Sequence, residues 1–245
     1  MKLMVMIKDR NLSFLQFADI EDLNVLVDYM KLGKSPNQLD SFGECLSNNL
    51  ALSSDKIIEE LQTLGGSVLE STPKGFGNGG QYSVILRNVC KELEFNYCEQ
   101  QSVEENECGF LKHILCKSLF DPNLSNEVIL ELLRTLDIDS YKTLGGRQAI
   151  GIAMASNRIS SYQIAVIVSN AVSYFVLGKY LNNKTTDALL DRYMAIFADP
   201  INWVLSGVWE RNTISGTVYR IAIPVVIQIA CMRQKFNNVA YNYFR

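Results

Sequence analysis

Histidine is nearly absent from this 245-residue sequence, and its absence argues against several kinds of catalytic and metal site. His113, in CGFLKHILC, is the single histidine. A Ser-His-Asp or Cys-His hydrolase would have to use it, yet no GxSxG turn is present to hold a nucleophile. Cys108 and Cys116 flank His113 at spacings that fit no common structural zinc site, and the six cysteines include no CxxC. We therefore predict a protein that is not an enzyme, with no catalytic residue, metal or cofactor.

Long uncharged runs are also scarce. The start, MKLMVMIKD, has five apolar residues between Lys2 and Lys8, too few for the apolar region of a secretory signal. The 20 residues from Ile159 to Gly178 carry no charge and would span about 30 Å as a helix, but several serines and amides weaken them as a membrane span. We predict a cytoplasmic protein with reduced cysteines and this stretch buried in its core. Peripheral or inducible contact with the inner membrane is the alternative.

Acidic residues are rare in the C-terminal part of the chain. From Arg147 to Arg245 there are 4 acidic and 10 basic residues, whereas the preceding part has 22 acidic and 13 basic residues. This asymmetry indicates either two parts that neutralise each other within one fold or a C-terminal part that faces anionic lipid. The basic residues are dispersed rather than striped, which argues against nucleic-acid binding.

Apolar spacing predicts a mainly α-helical multi-helix bundle, since no long stretch alternates with period two. Asp19 is placed to cap a first helix, and a second helix follows Ser54 and ends at Gly65-Gly66. Later helices are predicted from Tyr82 to Leu93 and from Glu127 to Leu136, with a loop at 71–81 and a solvated turn or helix start at 99–107. We divide the chain into a small N-terminal helical module (1–35), an acidic helical middle (36–144) and an apolar, net-basic, glycine-punctuated helical region (145–245).

The apolar C-terminal region has several pieces. Ala165, Ser169 and Ser173 form a small-residue face suited to close helix packing. Three shorter apolar pieces follow at 193–198, 201–209 and 221–232. We predict that Ser215 begins a buried helix, which Pro224 breaks or kinks at its centre. Trp203, Trp209, Tyr193 and Phe197 are expected in the core, with an interfacial belt as the alternative.

The glycine loop GFGNGG (residues 75–80) precedes a predicted helix, which is where phosphate-binding loops lie. No clear strand leads into it, however, and no lysine followed by serine or threonine comes after it. We interpret the loop as a flexible turn. A nucleotide-dependent enzyme that uses Gly77 and Gly79 is a third hypothesis.

The segment SGTVYRIAIPVVIQIACMR (residues 215–233) resembles the C-terminal signature of the bacterial YaaW family. ELQTLGG (residues 60–66) and the glycine loop that leads to Tyr82 are also similar to that family, and the N-terminal LSFLQFADIEDLNVLVDYM resembles its leading domain of unknown function. The segment from about Cys98 to Tyr141 departs from the pattern. The family is commonly grouped with ubiquinol–cytochrome c chaperone-like proteins. The resemblance implies a helical, non-catalytic fold and an assembly-factor role.

From these patterns we predict a non-enzymatic interaction protein, chaperone-like, for an apolar or membrane-protein partner. A membrane-active effector, inserting inducibly or forming pores, is the alternative. The candidate binding residues lie in the two segments that resemble the family most closely: Gly77, Gly79, Tyr82, Tyr219, Arg220, Pro224 and Gln228.

Overall fold

The structure is a computed structural model, and it describes residues 9–32, 54–63, 81–120, 124–135, 145–156, 159–181, 188–210 and 214–243. Within these ranges every regular element is helical, which confirms the predicted mainly α fold. The predicted loop at 71–81, except its last residue Gln81, and the predicted helix end at Gly65-Gly66 lie outside the described residues.

The described helices follow one another along the chain. A 3-10 helix, η1 (Arg10–Phe17), precedes α1 (Ile20–Lys31), α2 (residues 54–63), α3 (Tyr82–Glu92), α4 (Val103–Leu119), α5 (Asn126–Thr135), α6 (Gly146–Ala155), α7 (Ser161–Leu177), α8 (Ala188–Trp209) and α9 (Ile214–Tyr243). The bounds of α3 and α5 fall within about three residues of those predicted.

Local sequence determines where α4 and α7 begin. Each has a capping box at its first turn. The serine hydroxyl accepts a hydrogen bond from the backbone N–H three residues later, and the Glu or Gln side chain at that later position accepts one from the backbone N–H of the serine. Ser102 pairs with Glu105 in this way, and Ser160 pairs with Gln163. Helix α7 ends at Gly178, whose φ of 68° lies in the left-handed region that glycine adopts without strain.

Helix α7 is the centre of the bundle. It packs against α1, α4, α8 and α9, and all ten residues from Ile164 to Ser173 are buried. The predicted small-residue face is part of this burial, since Ala165, Ser169 and Ser173 are each 0% exposed. Small side chains there let neighbouring helices approach closely. The middle of the 20-residue uncharged stretch, residues 164–173, is therefore core, whereas Tyr174 and Phe175 near its end are exposed.

Two prolines lie inside helices. Helix α9 begins at Ile214 and continues through Pro224, so the predicted break is wrong, while the alternative of a kink stays a prediction. Helix α8 likewise joins two predicted apolar pieces across Pro200. A proline removes one backbone N–H from a helix. The tertiary packing of these apolar helices outweighs that loss, since every residue from 221 to 232 is buried.

One hydrophobic cluster includes residues from all three predicted regions of the chain. Leu23, Leu26 and Val27 of α1 belong to it, together with the predicted α3 stripe and most of the apolar face of α9. Phe197 of α8 is fully buried, as predicted, whereas Trp203 is 40% exposed. The division into regions ending at 35 and 144 stays a prediction.

Glu94 occupies a strained position at the end of α3, and this leads to a first testable expectation. Its φ is 62°, while the amide of Phe95 bonds the Cys90 carbonyl at 2.8 Å and the amide of Glu94 bonds the Lys91 carbonyl at 3.1 Å. This is the Schellman pattern, in which glycine is the usual residue. We expect Glu94→Gly to raise the free energy of unfolding by about 0.5–1 kcal/mol, because glycine adopts positive φ without strain. Urea denaturation measures this.

The same site provides its own control. Glu94 also forms an exposed ion pair with Lys117, in which Oε2 and Nζ are 2.6 Å apart. Loss of such an exposed pair lowers the free energy of unfolding only slightly. Glu94→Ala removes that pair but keeps the strain, so it should leave stability unchanged or slightly lower. Equal stability of the glycine and alanine variants would contradict the strain argument.

Candidate functional site

A buried ion pair joins α4 to α9. The Glu107 carboxylate is 0% exposed and receives two bonds from Arg233, one from Nε at 2.6 Å and one from Nη2 at 3.3 Å. Arg233 Nη2 also donates to the Asn11 carbonyl at 2.6 Å. Its guanidinium lies over the Phe14 ring, 4.4 Å from the centroid, in a cation–π contact. The arginine therefore holds α4, α9 and η1 together.

Tyr82 extends this pair to the start of α3. Its hydroxyl donates to Glu107 Oε1 at 2.7 Å, and its backbone N–H donates to Asp9 Oδ2 at 2.6 Å. The second Asp9 oxygen accepts from the Asn11 amide at 3.0 Å, which caps η1. Four separated parts of the chain thus meet in one buried polar cluster, defined here as Asp9, Tyr82, Glu107 and Arg233.

The electrostatics of the cluster follow from its burial. Loss of solvent raises the pKa of the Glu107 carboxyl, against the opposing effects of Arg233 and Tyr82. Burial alone would lower the pKa of Arg233, but the Glu107 carboxylate reverses this and raises it. Burial also raises the pKa of Tyr82 well above its usual value. Since Tyr82 and Glu107 are at most 1% exposed, no substrate reaches them, and we assign the cluster a structural role.

The predicted binding residues have separate surroundings. Tyr82 belongs to the buried polar cluster, Gln228 accepts from the Ser169 hydroxyl at 2.7 Å inside the core, and Arg220 donates to the Trp209 carbonyl. Pro224 is buried and Tyr219 is half-buried on the same helix. Gly77 and Gly79 lie outside the described residues. A common binding role for these residues stays a prediction.

Ion pairs join the acidic part of the chain (residues 1–146) to the basic part (residues 147–245). Besides Arg233 with Glu107, Lys235 Nζ lies 2.7 Å from both Asp19 and Asp22 of the N-terminal part. Lys179 Nζ lies 2.6 Å from Asp28. Three C-terminal cations therefore neutralise N-terminal acids within the fold, the first of the two interpretations that the sequence left open.

The exposed apolar side chains include an aromatic group at the end of α7. Tyr174 stacks on Tyr180 with 4.6 Å between ring centroids, and Phe175 meets Trp209 edge-on at 5.4 Å. Tyr174, Phe175 and Tyr180 are 46%, 40% and 50% exposed. We call these four residues the α7 aromatic surface. Large aromatic rings held half-exposed by their neighbours are typical of binding surfaces.

The single histidine and the cysteines have structural surroundings. His113 Nε2 donates to the Leu93 carbonyl at 3.1 Å, and its ring packs on Phe95. Burial raises the pKa of the Cys90 and Cys231 thiols to about 12. In the described ranges, no three His, Cys, Asp or Glu side chains stand close enough to hold a metal ion. Of the helices described, none is both long and apolar enough to cross a membrane.

Comparison with known proteins identifies the family. The chain is 32% identical over 240 residues to a UPF0174 protein of Helicobacter pylori (strain J99), and the alignment covers 93% of this chain and 92% of that relative. The chain belongs to the UPF0174 family. A second UPF0174 protein of the same strain is 29% identical over 186 residues, which cover 74% of this chain and 87% of the relative.

YaaW, whose family the sequence resembles, is also a UPF0174 protein. UPF0174 protein YaaW of Escherichia coli (strain K12) is 27% identical over 183 residues, covering 73% of this chain and 70% of YaaW. The YaaW-like resemblance is therefore confirmed. No family model matches the chain. No solved structure shows significant similarity to it.

Sequence reasoning missed two buried residues of this UPF0174 chain. Residues 99–107 were expected to form a solvated turn or helix start, and α4 does begin there, but Asn106 and Glu107 are 0% exposed. The signal was present in the helical spacing, because Phe110, Leu111 and Ile114 lie three, four and seven residues after Glu107 on the same face. A carboxylate on an apolar stripe indicates a buried partner, here Arg233.

Proposed function

We propose that this UPF0174 chain is a cytoplasmic, non-enzymatic interaction protein, chaperone-like, that binds an apolar segment of a protein partner. The observation that carries the proposal is the α7 aromatic surface. Residues 164–173 of α7 and 221–232 of α9 are buried in the core of the chain itself, so these segments are already covered. Tyr174, Phe175 and Tyr180 remain exposed beside that core.

The geometry of this surface suits an apolar helix. The two ring pairs come from the last turn of α7, the residues directly after it and the end of α8, so packed helices fix their positions. Aromatic side chains present large contact area with few rotatable bonds, and they dominate the binding energy of many interfaces. A membrane-protein segment that has not yet entered the bilayer offers the uncharged side chains that would cover such rings.

The proposal is tested with an uncharged, membrane-spanning Leu/Ala peptide diluted from denaturant. We expect the purified full-length protein to suppress the light scattering of the precipitating peptide. The double substitution Phe175→Ser and Tyr180→Ser should raise the protein concentration needed by about tenfold, since loss of such anchors commonly costs that much. Phe120→Ser is the matched control, because Phe120 is 59% exposed at the end of α4.

The outcomes separate two functions. Equal suppression by the double variant and the control would exclude the α7 aromatic surface as the binding site. Flotation of the protein with anionic vesicles at high salt, lost in the double variant, would instead favour the membrane-active effector.

A further inference from the structure

Two tyrosine rings lie face to face at the end of α7. Tyr174 and Tyr180 stack with 4.6 Å between their ring centroids and 13° between their ring planes. This separation is at the close end of the range for aromatic pairs, about 4.5–7 Å. Both side chains are accessible, because Tyr174 is 46% exposed and Tyr180 is 50% exposed. The structure therefore places two phenol rings in contact where a small dissolved oxidant reaches both.

Buried side chains of α7 hold the turn that carries Tyr180. The Ser173 hydroxyl donates to the Lys179 carbonyl at 2.8 Å, and the Asn170 side-chain oxygen accepts from the Leu181 amide at 2.9 Å. Ser173 and Asn170 are both 0% exposed. Since one of these bonds precedes Tyr180 and the other follows it, the backbone on each side of this residue is fixed to α7. The fold itself therefore holds the two rings together.

Other described tyrosines have different surroundings. Tyr29 and Tyr82 are 0% and 1% exposed, so an oxidant does not reach them. Tyr97 is half-buried, and a guanidinium rather than a second phenol ring lies over it. Exposure of two paired phenols distinguishes the stack at the end of α7 from these three.

We propose that Tyr174 and Tyr180 form a site of oxidative cross-linking, at which a one-electron oxidant joins them into an intramolecular dityrosine. Each phenol gives up one electron and its hydroxyl proton to become a tyrosyl radical. One carbon–carbon bond then forms between a Cε atom of each ring. Each of these carbons loses its hydrogen as a proton, and each phenol oxygen regains a proton. The net two electrons and two protons released reduce one molecule of hydrogen peroxide to two of water.

The held geometry favours this coupling, because well-oriented groups within one molecule react at a high effective concentration. The new bond would tie Tyr180 to α7 and end the stacking of the two rings, so oxidation would alter the α7 aromatic surface. The coupling needs no partner, and the inference therefore does not rest on the proposed function.

Tryptic digestion separates the two tyrosines, which makes the cross-link easy to detect. Trypsin cleaves after Lys179, so Tyr174 falls in peptide 159–179 and Tyr180 in peptide 180–184. The full-length protein is treated with a haem peroxidase and limiting hydrogen peroxide and is then digested. We expect mass spectrometry to show the two peptides joined, with a mass two hydrogen atoms below their sum. The fraction of chains cross-linked should not depend on protein concentration, because the coupling is intramolecular.

Single substitutions make the result specific. Tyr174→Phe and Tyr180→Phe each keep the aromatic ring but remove one hydroxyl, so each should lower the yield of the joined peptide at least about tenfold. Tyr162→Phe is the matched control and should leave the yield unchanged. Tyr162 belongs to the same tryptic peptide but lies about 18 Å before Tyr174 along the axis of α7.

Failure of the cross-link and failure of the proposed function are distinguishable. Tyr180→Phe retains an exposed ring, so it should still suppress precipitation of the Leu/Ala peptide as the natural protein does. The cross-linking proposal is overturned if no joined peptide forms, if Tyr174→Phe leaves its yield unchanged, or if the fraction of chains cross-linked rises in proportion to protein concentration.

Discussion

Arg233→Met should lower the free energy of unfolding at neutral pH by about 3–5 kcal/mol, because it leaves the Glu107 carboxylate buried without its cation. Glu107 is 0% exposed, and Tyr82 is the one other described side chain that bonds it. Methionine keeps an unbranched apolar side chain like the stem of arginine but supplies no charge and no hydrogen-bond donor. Urea denaturation at neutral pH measures the loss, which is a large share of the stability of a typical domain.

The same variant should become relatively more stable in acid. Burial raises the pKa of Glu107 above its ordinary value of 4.5, and removal of Arg233 removes the main opposing effect, so the folded-state pKa rises further. A raised folded-state pKa stabilises the protein below the ordinary value, and that stabilisation is lost as pH rises through the folded-state pKa. The deficit of Arg233→Met against the natural protein should therefore shrink from about pH 8 to about pH 5.

Two controls accompany this measurement. Lys117→Met breaks the exposed pair with Glu94, also 2.6 Å long, and should cost at most about 0.5 kcal/mol. Adding Glu107→Gln to Arg233→Met removes the stranded charge and should restore part of the lost stability. If the loss in free energy of unfolding is below about 1 kcal/mol, or is equal at both pH values, the Glu107 carboxylate is not destabilised by losing Arg233 and the argument from its burial is wrong.

Asn106→Ala should lower the free energy of unfolding by about 2–4 kcal/mol, since it leaves several polar backbone groups without partners. The Asn106 side chain is 0% exposed at the start of α4. Its oxygen accepts from the Cys98 amide at 2.8 Å, and its Nδ2 donates to the carbonyls of Cys98 and Ser102, both at 2.9 Å. One side chain thus holds the turn that leads into α4.

Amide hydrogen exchange gives a local measure of this effect. The Cys98 amide should exchange much faster in Asn106→Ala, because its acceptor is gone. Asn237→Ala is the control, since its exposed bond to Glu104 should contribute less than about 0.5 kcal/mol. Unchanged exchange at Cys98 in Asn106→Ala would mean that the turn is held by other contacts.

The surroundings of the α7 aromatic surface indicate which kind of segment fits it. Tyr174 and Phe175 end the central, uncharged helix, so an uncharged segment fits that surface best. Three of its four rings (Tyr174, Phe175 and Trp209) lie on packed helices, which keeps them in place before a partner arrives.

By itself the sequence determined the helical class, most helix starts and most of the core stripes. These follow from spacing and capping, which are local: Ser160 and Gln163 begin α7, and Gly178 ends it. The apolar face of α3 also follows directly from its period. The resemblance to the YaaW family was also visible in the sequence, and the relatives confirm it.

Only the tertiary structure decided which polar residues are buried and which aromatic rings are exposed. Glu107 and Arg233 are 126 positions apart, and Phe17 and Phe236, whose rings stack, are still further apart, so no local pattern pairs them. Pro224 stays inside α9 because packing of the surrounding apolar residues outweighs one missing hydrogen bond. Burial is a property of the whole assembled bundle, and the exposed aromatic rings are those that the assembly leaves uncovered.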